Sequence, residues 1–157
     1  MSSEKTALYR LLNQQAQALI EQEPDLIANM ANLSALLFNQ LPALNWAGFY
    51  IMRAGELVLG PFQGQVACVR IAVGKGVCGT AVSTGQVQLV KDVHEFPGHI
   101  ACDAASNSEI VLPLRHNGEI IAVLDIDSPS LARFDAEDQA GLEQLISLFE
   151  QHLAGTV

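Results

Sequence analysis

Apolar residues recur at helical spacing from the start of the chain. Leu8, Leu11, Leu12, Ala16, Leu19 and Ile20 form one stripe behind Ser2 and Ser3 as candidate caps. Pro24 and Asp25 open a second stretch, in which Leu26, Met30, Leu33 and Leu37 align and the pattern stops before Pro42. The period then changes to two. Residues 46–52 and 56–59 flank Ala54-Gly55, which predicts a hairpin. Residues 66–73 read as a strand carrying Cys68, the segment GKGVCGTA as a glycine-rich turn carrying Cys78, and residues 87–90 as a short strand. Residues 91–108 are irregular and hold His94, Pro97, Gly98, His99 and Cys102; Phe96, Ile100 and the scarcity of charge predict an ordered loop. Two strong strands, 109–115 and 119–127, meet at Asn117-Gly118, a favoured hairpin pair. Asp135 then caps a final helix presenting Leu142, Leu145, Ile146, Phe149 and Leu153. Helices at both ends of hairpin-connected strands predict an α+β domain. Residues 120–124 are apolar on both faces, so the sheet is expected to be covered on two sides.

Composition narrows the function classes. The 157 residues suit one domain; half are hydrophobic and 16% are charged, which excludes intrinsic disorder. A net charge of −9 with eight scattered basic residues argues against nucleic acid as a partner. No apolar run reaches membrane-spanning length, and MSSEKTALYR lacks the apolar core of a secretory signal, so a cytoplasmic protein is expected. Three cysteines in such a chain point away from a disulfide framework and leave inert thiols, a metal site or redox chemistry.

The chemistry concentrates at the end of the last strand. Asp125 and Asp127, at i and i+2, continue the face of Ile121 and Val123, so either the strand has run into solvent or the acids floor a pocket. Glu109 begins the partner strand. A two-residue loop at Asn117-Gly118 would set it opposite Ile126, whereas a three-residue bulged loop would set it opposite Asp125 and gather three acids. Such a cluster needs a cation, for which an ammonium group would serve, or shared protons, which would make one member a carboxylic acid able to donate. Cys68 lies between Ala67 and Val69, whereas Cys102 lies in a polar stretch with Asp103, Ser106 and Asn107. An accessible loop thiol with two others to resolve it is the requirement of a thiol-based reductant. No CxxC pair exists, and a zinc site from the three thiols with His94 or His99 lacks regular ligand spacing. The glycine run lacks phosphate-loop spacing. His94 and His99 read as structural members of the loop, and Trp46 and Tyr50, sharing one strand face, as either core or pocket wall.

The segments GPFQGQVACVRI, GKGVCGTA, KDVHEFPGHIACDAASNSEIVLPL and LDIDSP closely resemble the free methionine-(R)-sulfoxide reductases, a GAF-domain enzyme family, without a gap over residues 60–129. The resemblance implies one GAF domain over residues 1–157, with a six-stranded antiparallel sheet covered by helices on both faces, and a homodimer. It implies that Cys102 is the catalytic cysteine, Cys68 the usual resolving cysteine and Cys78 a third that can join a disulfide. Glu109, Asp125 and Asp127 would be the acids of the substrate pocket, with Glu109 or Asp127 the proton donor. Trp46 and Tyr50 would be the aromatic residues around the substrate. The implied reaction reduces free L-methionine-(R)-sulfoxide through a sulfenic acid and a disulfide, recycled by thioredoxin, with no cofactor and no metal. The alternative is a GAF sensor of small molecules or redox state without turnover.

Overall fold

The computed structural model describes residues 2–99 and 105–155. Helices α1 (Ser2–Ile20) and α2 (Leu26–Gln40) precede strands β1 (Trp46–Arg53), β2 (Glu56–Gly64) and β3 (Arg70–Ala72). Helix α3 (Gly76–Thr84), strand β4 (Gln88–Val90), a 3₁₀ turn (Val93–Glu95), strands β5 (Ser108–His116) and β6 (Glu119–Ser128) and helix α4 (Ala136–Gly155) complete the chain. The strands form one antiparallel sheet in the order β3-β2-β1-β6-β5-β4. Helices cover both of its faces, as expected. The main core joins α1, α2 and α4 to the sheet through residues such as Leu12, Met30, Leu33, Phe49, Leu124 and Phe149. A smaller core on the opposite face joins α3 to Trp46, Tyr50, Val111 and Val123.

Caps and turns follow the sequence. The Asp25 carboxylate accepts the Ala28 N–H at 2.8 Å, and Asp135 Oδ1 accepts those of Glu137 and Asp138 at 3.0 and 3.1 Å. In α1 the buried stripe is Tyr9, Leu12, Ala16 and Ile20, while Leu11 and Leu19 remain 52% and 40% exposed. The helix is rotated so that Tyr9 reaches α4, where its hydroxyl donates to Asp138 Oδ1 at 2.7 Å.

Three local expectations are corrected. Only residues Arg70–Ala72 of the stretch 66–73 form a strand, so Cys68 lies in the preceding loop, where side chains rather than a full ladder take the Gln65 and Cys68 carbonyls. The segment around Cys78 is helix α3 rather than a turn. Gly79 lets that helix start tightly against the sheet: a Cβ there would lie 2.5 Å from the Ala72 carbonyl oxygen.

The third correction concerns register. Asn117 and Gly118 have φ of +54° and +80°, as a two-residue type I′ turn requires, and His116 pairs with Glu119. Beyond them Arg115 faces Ile120 but Leu114 faces Ala122, so Ile121 is an inserted residue. Glu109 therefore faces Asp127, neither Ile126 nor Asp125. The bulge also sends Ile121 to the main core, off the face of Val123, Asp125 and Asp127. Beside it, the Arg115 N–H donates to Glu150 Oε2 at 2.6 Å, which ties the distorted strand to α4.

Asp138 binds the main-core layers together. Its buried carboxylate accepts from Tyr9 Oη and Lys5 Nζ of α1, from Arg133 Nη1 and from the Asp135 N–H. Asp138→Ala strands these donors around a small void, and urea denaturation is expected to show a loss of about 3 kcal/mol.

Candidate active site

The smaller core opens into a cavity whose floor is the middle of the sheet. Period two in β1 places Trp46, Gly48 and Tyr50 on this face, and the β1–β6 register sets Trp46 opposite Asp127 and Gly48 opposite Asp125. Gly48 is required there, because a Cβ would lie 2.2 Å from Phe62 Cβ. The strands approach closely at this point because β2 carries its own bulge, with Gly60 and Pro61 set between the Leu59 and Phe62 pairs. Phe62 then stacks on Trp46 at 5.0 Å between ring centroids, and Trp46 on Tyr50 at 5.9 Å.

The inserted Ile121 brings Glu109 of β5 alongside Asp127. All three acids thus line one cavity with Trp46, Tyr50, Cys78, His99 and Ser106. Glu109 and Asp125 are 7% and 6% exposed. Glu109 lies beside both Asp125 and Asp127, which act on its carboxyl. Asp125 Oδ1 and Asp127 Oδ1 are buried with no hydrogen-bond donor among the described residues.

Burial, followed by the charges of Asp125 and Asp127, raises the Glu109 carboxyl well above its ordinary range. Burial and Asp125 raise Asp127 as well, but hydrogen bonds from Glu109 and Ser106 oppose the rise there. Asn45 Nδ2 supports Ser106 Oγ at 3.0 Å. Both carboxyls are therefore biased toward their protonated forms, with hydrogen bonds favouring the charged form at Asp127. The same acids, after burial, push the Cys78 thiol and the Tyr50 hydroxyl upward, so both stay protonated at neutral pH.

Trp46 Nε1 donates to the Gln65 carbonyl at 3.1 Å and Tyr50 Oη to the Cys68 carbonyl at 2.8 Å. Two aromatic residues of the wall therefore hold the loop that carries Cys68. Cys68 is disulfide-bonded, whereas Cys78 is a buried free thiol. Cys102 lies outside the described residues. The sequence reading thus brought together Trp46, Tyr50, Glu109, Asp125, Asp127 and Cys78, and it missed His99, Ser106 and Asn45. His99 was read as structural, yet it lines the cavity, while His94 pairs with Asp92 at 2.9 Å on the surface. Ser106 and Asn45 carry no local sequence signal, since their role depends on the β6 strand between them. A groove of about 690 Å³ between α1 and α4 is larger, but amides such as Asn13, Gln14, Gln17 and Gln144 line it and no cysteine among the described residues does.

The sequence profile of the GAF domain family matches residues 28–154. The free methionine-R-sulfoxide reductase of Escherichia coli is 58% identical over 152 residues, 97% of this chain and 92% of that one. The Staphylococcus aureus free methionine-R-sulfoxide reductase, solved in complex with its substrate, superposes with a TM-score of 0.89 at 54% identity over 93% of this chain and 95% of that one. The enzyme of that name from Neisseria meningitidis, also solved with its substrate, gives 0.91 at 44% identity over 95% and 90% of the two chains.

The raised Glu109 carboxyl has a measurable cost. Above about pH 4 an unfolded chain ionises this group freely, while the folded protein keeps it protonated, so the unfolded state binds fewer protons and stability falls as pH rises towards the folded value. Glu109→Gln removes this contribution. Its Tm is expected to exceed that of the parent at pH 7–8 and to converge with it near pH 4, as measured by calorimetry across that range.

Proposed function

We propose that this chain, which belongs to the free methionine-(R)-sulfoxide reductase family of GAF-domain proteins, reduces free L-methionine-(R)-sulfoxide to L-methionine. The observation that carries the reading is the buried wall of three carboxyl groups, on which burial and neighbouring charge bias Glu109 toward its protonated form. Asp125 and Asp127 receive the substrate's ammonium group, and Trp46 and Tyr50 flank its side chain. Only a free amino acid brings an ammonium to that place. Glu109 donates a proton to the sulfoxide oxygen.

The Cys102 thiolate attacks the sulfoxide sulfur. The S–O bond breaks, methionine leaves and Cys102 becomes a sulfenic acid. The Cys68 thiol then displaces water from the sulfenic acid to form a Cys68–Cys102 disulfide. The state of Cys68 and the free thiol of Cys78 support this division of labour. A thioredoxin dithiol reduces the disulfide by exchange and returns the enzyme to its starting state. Cys78, protonated and buried, is a reserve resolving thiol. In the same reading residues 1–157 act as one GAF domain, the protein works as a homodimer, and its place is the cytoplasm, where reduced thioredoxin is maintained.

A coupled assay with thioredoxin, thioredoxin reductase and NADPH tests the reaction. NADPH consumption is expected on adding free methionine-(R)-sulfoxide, and a non-catalytic sensor would consume none. N-acetylmethionine sulfoxide lacks the ammonium; losing that buried charge-assisted contact costs about 2 kcal/mol or more, so kcat/KM is expected to fall at least about thirtyfold.

The cysteine roles separate in single-turnover experiments without reductant. Cys68→Ser is expected to release one methionine per site and then fail to recycle with thioredoxin, whereas Cys102→Ser is expected to release none. A full burst from Cys102→Ser would reassign the nucleophile.

A further inference from the structure

We propose that Cys78, Glu109 and Asp125 also form a binding site for a single divalent cation of the zinc class, one that shares Asp125 with the place of the substrate's ammonium. These residues come from α3, β5 and β6, and their donor atoms lie within 4.8 Å of one another in a buried setting. The second observation is Asp125 Oδ1. It belongs to a residue 6% exposed that lines the cavity, and no hydrogen-bond donor among the described residues reaches it. A buried acceptor left open in this way favours a cation beside it. The Cys78 thiol belongs to the same group, and the proposed reaction does not require it.

The donor set selects the metal. Magnesium and calcium take six or more oxygen ligands and have little affinity for sulfur. One thiolate and two carboxylates suit zinc, with Zn–S near 2.3 Å and Zn–O near about 2.1 Å, and leave the fourth tetrahedral position for water. Adjacent donors around such an ion stand roughly 3.5 Å apart, so atoms already within 4.8 Å have little more than about 1 Å to close. On binding, the Cys78 S–H and the Glu109 carboxyl give their protons to solvent, and sulfur and the carboxylate oxygens donate electron pairs to the metal; nothing is oxidised. Occupation would make zinc a competitive inhibitor, a consequence that rests on the ammonium reading given above.

Cobalt(II) is a spectroscopic probe for this site, used on the oxidised protein so that the Cys68 disulfide is formed and Cys78 remains the free thiol. One equivalent is expected to produce a near-ultraviolet thiolate-to-cobalt charge-transfer band that zinc abolishes and excess magnesium does not. Cys78→Ser should lose the band, and Asp125→Asn, which preserves side-chain shape, should weaken binding by about tenfold or more. Absence of the band in the parent protein, or its survival in Cys78→Ser, overturns the proposal. Free methionine sulfoxide added to the cobalt form should displace the band. A band that forms with the expected mutant pattern but resists displacement keeps the metal site and removes the ammonium from it.

Discussion

Three carboxyl groups on one buried wall cannot all be ionised unless something positive sits among them. In this fold the sheet backbone imposes that condition. Strand register fixes the backbone positions of Glu109, Asp125 and Asp127 along one stretch of wall. Folding thus stores an electrostatic imbalance at one place, and a proton on Glu109 or a bound cation is its natural relief. The same imbalance keeps Cys78 protonated and reaches as far as the Tyr50 hydroxyl.

The two faces of the sheet are built by different rules. The main-core face is a close-packed interior, with helices α1, α2 and α4 drawn together by apolar side chains and by the one buried carboxylate of Asp138, which has four donors. The other face gives up apolar packing for open acceptors. Single residues mark the transition: Ile121 goes to the main core and hands its place in the alternation to the acids, and Gly48 removes a side chain above Asp125. Stability and chemistry are therefore segregated by the sheet, a common way for a marginally stable protein to tolerate an unfavourable site.

Features governed by near neighbours were legible in the sequence. Asp25 and Asp135 cap helices, Asn117-Gly118 turns the last hairpin, and the apolar run in β6 is covered on both faces. The acid cluster was legible as a possibility, since i and i+2 share a strand face. What could not be read was the pairing. A bulge leaves no mark in a run such as Ile120, Ile121 and Ala122, where any residue could be the inserted one, and the two registers considered for Glu109 missed Asp127 by one residue and by two. The loop holding Cys68 looked like a strand because Val66 and Val69 have β propensity, yet they are 84% and 59% exposed, and tertiary contacts override the preference. Burial of α1 depended on where Tyr9 meets Asp138, a contact 129 residues away in sequence.

The tether on that loop has a further consequence. Besides the Cys68 disulfide, the chain between β2 and β3 is fastened by Trp46 on Gln65, Tyr50 on Cys68 and the Leu59 N–H on the Val69 carbonyl. With exposed valines and no helix or strand of its own, this stretch has little to lose when it detaches, so its opening free energy falls at the low end of the range a native protein spans. Once its disulfide is reduced, Cys68 thus rides on a segment that can lift from the sheet while the acid wall and the main core remain folded. A sulfur that must exchange partners sits where local unfolding is cheapest.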